Sequence, residues 1–249
     1  MSIVDSLPYN ADINLIASVP ELDYFYKAFK GSPHILLENQ RTARTSNRLQ
    51  RVIRKNLLVY HSVNHKVFIE SIYEHENDES TKKLMLFFQL ALTNRLCDEL
   101  VTDVVLLYYH QGRAGIKKDD LIGYIKEQKI QSDDTDGDWA DSTLERIGSK
   151  LLTFLKRLDI LEGRSKKTFR TIRLTEKQFT FFLYLMTAVY GGDLNILSHP
   201  FRKYAFASDE ILIDRIKEIA KLGLIDMQYT GDKLVINPTY EYNQVTNAF

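Results

Sequence analysis

Residues 142–175 and 208–239 carry one hydrophobic pattern written twice, and this repeat limits the possible folds more than any other feature of the chain. A shift of 64 positions lays Ile147 on Ile211, Leu152 on Ile216, Leu155 on Ile219, Leu158 on Leu222, Ile160 on Leu224 and Leu161 on Ile225. The first copy ends LKRLDIL and the second IAKLGLI, so each apolar stripe stops at a corner where Asp or Gly stands between aliphatic residues. Stripes of this kind predict amphipathic helices, and a Gly just past the last apolar residue predicts their end. Each is followed by two short β-prone runs around a polar turn, ILEGRSKKTFRTIRLT in one copy and LIDMQYTGDKLVINPT in the other. A long helix that passes straight into a hairpin is the closing half of a winged helix-turn-helix. If the copies are equivalent, Leu158 and Leu222 are both buried. Two such units point toward nucleic acid rather than a reaction. A protein–protein adaptor, or simply a way to close a small core, is the alternative.

The chain has room for this arrangement: 249 residues hold two or three small domains, each with its own core. Hydrophobic and charged fractions of 44% and 27% are ordinary for a globular protein, and 11 Gly with 5 Pro favour long regular elements over a turn-rich β design. The single Cys97 forms no internal disulfide. The start MSIVDSLPYNADINL lacks the basic and apolar regions of a secretory signal, and the apolar run FTFFLYLMTAVY at 179–190 is short for a bilayer span. These features lead us to expect a cytoplasmic protein.

Lys plus Arg and Asp plus Glu each number 33, so the net charge is zero, which at first argues against a polyanion partner. The charges are sorted, however, and distribution matters more than the sum. Between Arg41 and Ile69 stand seven basic residues (Arg41, Arg44, Arg48, Arg51, Arg54, Lys55 and Lys66) and no acidic one. Between Gly163 and Thr175 stand five more, Arg164, Lys166, Lys167, Arg170 and Arg173, again without an acid. Arg41, Arg44, Arg48, Arg51 and Lys55 recur at three- and four-residue steps, which places them on one helix face opposite a flank of Ala43, Leu49, Val52, Ile53 and Leu57. Arginine presents a planar fork suited to phosphate oxygens. A solvated helix face is the plainer reading of the same stripe.

An N-terminal helical region over 1–80 precedes a first winged-helix-like unit over 81–175 and a second over 176–249. A helical run reaches about Tyr73, with a break near Asn64. A long apolar helix, capped by Ser80 and Thr81, then ends at Gly112. KKDDLIGYIKEQK supplies a middle helix, and Ser142-Thr143-Leu144-Glu145 matches a capping box that opens the third helix. The wing follows, with Arg164, Lys166 and Lys167 at its tip. Thr175-Glu176-Lys177-Gln178 opens the second unit with another capping box, and its first helix stops at Gly191-Gly192. DLNILSHPFRKYAF supplies a middle helix or turn, SDEILIDRIKEIAKLG the third helix, and TGDK the second wing. Across the first unit's third helix, Thr143, Arg146 and Lys150 form an outward set able to touch phosphates or a guanine, though it spells no base code.

Catalytic signatures are lacking. The chain contains neither a GxxxxGK[ST] nor a GxGxxG loop and no HExxH. His61 and His65 stand four apart as two ligands would, but no third ligand has matching spacing, so no metal or cofactor is expected. Cys97 reads as a small core hydrophobe. Trp139, just before the third helix, reads as a core staple or, alternatively, a stacking platform.

Three segments, ENQRTARTSNRLQRVIRKNLL, LMLFFQLALTNRLCDELV and TLERIGSKLLTFLKRLDIL, resemble the BrxA family of bacterial BREX phage-defence systems over roughly residues 36–165. The resemblance implies a mostly helical, winged-helix-containing DNA-binding component without catalytic activity. It also implies a place beside other proteins of the defence system, and it carries only the Arg41–Lys55 stretch across as a contact surface. The expectation is therefore a mainly α protein with small β-hairpin wings that grips double-stranded DNA through its backbone. The contacts would come from Arg41, Arg44, Arg48, Arg51, Lys55, Thr143, Arg146, Lys150, Arg164, Lys166, Lys167 and Arg170. A scaffold for protein partners and a winged-helix transcriptional regulator are the competing readings.

Overall fold

The computed structural model describes residues 3–19, 21–30, 43–131 and 138–249. In chain order the α-helices are α1 (Ile13–Ile16), α2 (Asp23–Phe29), α3 (Ala43–Asn56), α4 (Val63–His75), α5 (Glu79–Thr93), α6 (Arg95–Leu100), α7 (Leu106–His110), α8 (Lys118–Glu127), α9 (Asp141–Arg157), α10 (Glu176–Tyr190) and α11 (Asp209–Lys221). The strands are β1 (Gly115–Ile116), β2 (Leu161–Glu162), β3 (Lys167–Phe169), β4 (Ile225–Tyr229) and β5 (Leu234–Pro238). The protein is mainly helical and has, among the described residues, two small antiparallel sheets, one of order β1-β3-β2 and the other the β4-β5 hairpin. Among the described residues no helix is long and apolar enough to cross a membrane.

Two compact units divide the chain: residues 1–59 with 86–171, and residues 60–85 with 172–249. In the first, α9 is the spine. It buries Leu144, Ile147, Leu151, Leu152, Phe154 and Leu155, and it packs against α8, α1 and β2. Phe25 of α2 meets Phe154 edge-on at 5.9 Å, and the Arg157 guanidinium donates to the Val19 carbonyl at 2.6 Å. The long apolar helix expected up to Gly112 is instead three pieces. Asn94 adopts an extended backbone (φ −134°, ψ 106°) and its carboxamide oxygen accepts from the Cys97 amide at 2.9 Å, so it ends α5 and caps α6. Its amide nitrogen donates to Asn10 at 3.1 Å and to Asn56 at 2.7 Å. These buried carboxamides satisfy one another, which offsets the cost of taking them out of water. A turn of π-helix over Val101–Val105 then joins α6 to α7. Cys97 lies buried in this core, and burial pushes its thiol far above the usual range.

The second unit is built around α10, whose residues from Gln178 to Val189 are all buried, as the apolar run predicts. Thr175 and Gln178 form the expected capping box, with the Thr hydroxyl accepting from the Gln178 amide at 3.2 Å and the Gln side chain accepting from the Thr175 amide at 3.0 Å. The helix stops at Gly191, which takes a positive φ of 88°. Two short 3₁₀ turns, Ile196–Ser198 and Pro200–Ala205, occupy the place of a middle helix. In the same unit, the His61 and His65 rings stack at 5.6 Å, and His65 is fully buried.

Both copies of the repeat end in the same corner. Asp159 and Gly223 stand at equivalent positions and both adopt left-handed backbone, with φ of 62° and 72°. In each copy the amide that follows reaches back five residues: Ile160 donates to Leu155 at 3.0 Å and Leu224 to Ile219 at 3.3 Å. This satisfies a carbonyl that the helix end leaves open, and it turns the chain into the hairpin. Strict equivalence fails along the helix itself. Leu158 is buried as expected, but Leu222 is 55% exposed and Ile211, the counterpart of buried Ile147, is 54% exposed. The reason is packing: α9 carries N-terminal segments on that side, whereas α11 buries only the narrower stripe of Leu212, Ile216 and Ile219.

Two helix starts also differ from expectation. α9 begins at Asp141 with no side-chain cap, because Glu145 turns to Lys118 instead of back to its own backbone. α5 is capped by Asp78, not by Ser80 or Thr81: its carboxylate accepts from the Thr81 amide at 3.0 Å and the Thr81 hydroxyl at 2.6 Å. The Thr81 hydrogen bond, with help from Ser80, pulls the Asp78 carboxyl from 3.8 down to about 2. A depressed folded-state value means the cap stabilises above pH about 4 and is lost as pH falls toward 2. Asp78→Ala is expected to cost about 1 kcal/mol at neutral pH, the usual worth of an N-cap. Thermal melts should show the gap between parent and variant closing between pH 4 and 2.

Candidate nucleic-acid interface

In the first unit the order is helix (α6 to α7), strand (β1), helix (α8), helix (α9), then the β2–β3 hairpin, with β3 paired between β1 and β2. Gly148 lets α8 approach the middle of α9: a β-carbon there would sit 3.2 Å from the Lys118 carbonyl and 3.3 Å from its side chain. This contact brings the start of α8 beside Ser149, Leu152 and Thr153. The hairpin closes the other side. Gly163 takes φ 87°, and a β-carbon on it would lie 2.0 Å from the Lys166 carbonyl, so the tight turn needs glycine.

A groove of about 560 Å³ results, floored by Ile116 and Leu152 and walled by Lys117, Lys118, Ser149, Thr153, Arg164, Lys166 and Lys167. Lys156 of α9 adds its charge near Lys167, whose ammonium is held below the ordinary lysine range by burial first and by Lys156 second. Lys167 also donates to the carbonyls of Arg164 (2.7 Å) and Gly163 (3.2 Å), so it braces the turn from within. Lys118 is paired with Glu145, and Asp119 contributes an opposing charge. Arg164 and Lys166 are exposed at the hairpin tip. Arg170 is tied to Asp159 at 2.8 Å, which partly neutralises it.

Residues predicted on α9 fall on a different flank. At roughly 100° per residue, Thr143, Arg146 and Lys150 centre roughly 90° away from Ser149, Thr153 and Lys156, with Arg146 and Thr153, seven apart, on the shared border. Arg157 shares the former flank and binds the N-terminal Val19 carbonyl, so that side borders α1 and its flanking loop. Arg146 is exposed there, and Thr143 and Lys150 are half-buried. Lys117, Lys118, Ser149, Thr153 and Lys156 were not read from the sequence as contact residues. The signal available was the pair of lysines opening KKDDLIGYIKEQK. The α8–α9 approach that makes them face the hairpin is invisible to periodicity.

The other basic surface lies on α3, which belongs to the same unit and packs on α1, as α9 does. Leu49, Val52, Ile53 and Asn56 face inward, while Arg48, Arg51, Arg54 and Lys55 are exposed. Lys55 lies 3.8 Å from the Asp12 carboxylate. Arg48 and Arg51 have no ion pair among the described residues. Arg41 lies outside the described residues, as does the Arg44 side chain. Asp12 accepts from the Asn56 amide at 2.9 Å, so the carboxamide cluster around Asn94 also fixes the end of α3.

Trp139 is half-buried and lines a second groove with Ile125, Ile130 and Leu144, beside an ion pair of Lys126 with Asp141 at 2.8 Å. In the second unit, the hairpin tip Thr230-Gly231-Asp232-Lys233 pairs one base with one acid. No cluster of three or more metal-ligating side chains occurs among the described residues.

Comparison with curated proteins and with solved structures returns no match. The family model for BrxA matches residues 35–183, a span that includes α3, α8, α9 and the whole first hairpin. More than half of the chain lies within that match, and the chain belongs to the BrxA family.

Proposed function

We propose that this protein is a non-enzymatic, double-stranded DNA-binding component of a BREX-type phage-defence system, holding its DNA mainly by the phosphate backbone. The observation that carries this reading is the groove lined by Lys117, Arg164, Lys166 and Ser149, with Lys167 bracing its turn and the charge of Lys156 close to Lys167. Cations that neutralise phosphates release condensed counterions, which is the main source of sequence-independent affinity. The exposed Ser149 hydroxyl adds a hydrogen bond to a phosphate oxygen without reading bases, whereas the Thr153 hydroxyl already donates to the Ser149 carbonyl at 2.8 Å. Family membership supports the defence context.

The element order and the β1-β3-β2 sheet favour reading the first unit as a winged helix-turn-helix, with α9 as the helix offered to DNA and the hairpin as its wing. The second unit repeats the helix, corner and hairpin, with 3₁₀ turns in place of the middle helix. The polar, poorly charged tip of its hairpin and the exposed Ile211 and Leu222 favour protein rather than DNA contact there. No cofactor, metal or small-molecule substrate belongs to this reading, and other defence-system proteins are its natural partners.

Gel retardation with unrelated duplexes tests it. Equal retardation of all of them is the expected result. Protection of one palindromic site only would replace the reading with a regulator, and no retardation at low salt would replace it with a scaffold.

A further inference from the structure

The outer face of α11 is self-complementary. Ile211, Arg215, Glu218 and Leu222 follow one another at steps of four, three and four, the spacing of a helix–helix seam. Ile211 and Leu222, the apolar ends of this seam, are 54% and 55% exposed, while Leu212, Ile216 and Ile219 anchor the adjoining face of the helix, roughly 100° round, in its own unit. In the first repeat the counterparts Ile147 and Leu158 are buried beneath other parts of the chain. Two features of the second face suit a second copy of the same helix. Arg215 is pre-positioned: it donates to the Leu174 carbonyl at 2.7 Å and lies 4.1 Å from the Phe179 ring centroid, with other guanidinium N–H groups left to offer. Glu218, one turn further along, is exposed.

We infer that α11 is the self-association surface of this protein, pairing antiparallel with α11 of a second copy about a two-fold axis. An isologous contact sets each residue against its mirror position. Ile211 then meets Leu222 of the other copy, and Arg215 meets Glu218. On the flank of the seam, Asp214 of one copy comes near Lys221 of the other. A parallel pairing would instead set Arg215 against Arg215 and Glu218 against Glu218, which like-charge repulsion opposes. The area available on one 13-residue helix is small, so the dimer is weak and depends on concentration. This inference stands apart from the DNA-binding reading and is tested without DNA.

The test is cysteine cross-linking of the full chain. Cys97 is buried and gives little background. Ile211→Cys and Leu222→Cys are made singly, and each is oxidised alone and as an equal mixture. In the antiparallel pair the two 211 positions lie about 16 Å apart along the axis, beyond the roughly 7 Å reach of a disulfide. The mixture should therefore form covalent dimer several-fold faster than either variant alone. Faster cross-linking of either variant by itself, or no enrichment in the mixture, overturns the pairing. Sedimentation equilibrium gives a second reading: the parent's average mass should rise above 29.0 kDa with concentration while Leu222→Glu stays at the monomer mass. A parent that remains monomeric at every concentration overturns the inference as well.

Discussion

Reversing the charge of Lys156, Arg164 and Lys166 together, each to Glu, is expected to weaken duplex DNA binding about 100-fold at moderate salt. All three are exposed and stand at or beside the groove formed by α8, α9 and the first hairpin. They make no packing contact on which the fold depends, so melting temperature should change little. Loss of about three phosphate contacts should also flatten the plot of log affinity against log salt by roughly 3 units. Lys167 is left out because it braces the hairpin turn through two carbonyls. Arg170→Glu alone should cost much less, since Asp159 already holds that guanidinium. Reversal of Arg146 and Lys150 serves as the comparison on the other flank of α9. If that pair weakens binding more than the groove triple does, the DNA lies along the flank beside α1.

Reversal of Arg48 and Arg51 on α3 is the second large effect. Both are exposed on a helix whose Leu49, Val52, Ile53 and Asn56 are buried, so the variant should stay helical by circular dichroism. Two lost backbone contacts should flatten the salt slope by about 2 and weaken unrelated duplexes equally. An unchanged affinity would make α3 a solvated face and leave the groove as the sole grip. Combined with the groove triple, the effects should add if each surface takes phosphates of its own. A combined loss well short of additive would mean that α3 and the groove do not bind the same DNA together.

These two surfaces differ in how much of them the sequence discloses. The α3 stripe is local: Arg48, Arg51 and Lys55 follow from helical spacing alone, and so does the inward face of Leu49, Val52 and Ile53. The hairpin charges are also local, since Arg164 and Lys166 sit in a turn that Gly163 dictates. The face of α9 is not. Its apolar stripe announces a buried side but leaves two polar flanks, and the choice between them depends on where α8 and the N-terminal segments pack. Lys150 stands on the flank beside Arg157 and Val19, Ser149 and Lys156 stand on the flank beside the hairpin, and Arg146 and Thr153, seven residues apart, lie on the line between them. The repeat shows the same limit. Its corner at Asp159 and Gly223 is set by backbone conformation and is identical in both copies. Burial of Leu158 but not Leu222 is set by what else the chain lays on the helix. The break at Asn94 was hidden for a related reason, because an asparagine within an apolar run shows its capping role only once Asn10 and Asn56 come to meet it.

A salt titration of the unaltered chain is the most direct test of the proposed binding to the backbone of duplex DNA. Affinity for two duplexes of unrelated sequence is measured across a series of salt concentrations. With the groove and α3 both engaged, log affinity should fall against log salt with a slope of about −4 or steeper, at roughly 0.9 per phosphate neutralised, and the two duplexes should give the same line. Absence of binding at low salt, or a slope near zero, would contradict the account.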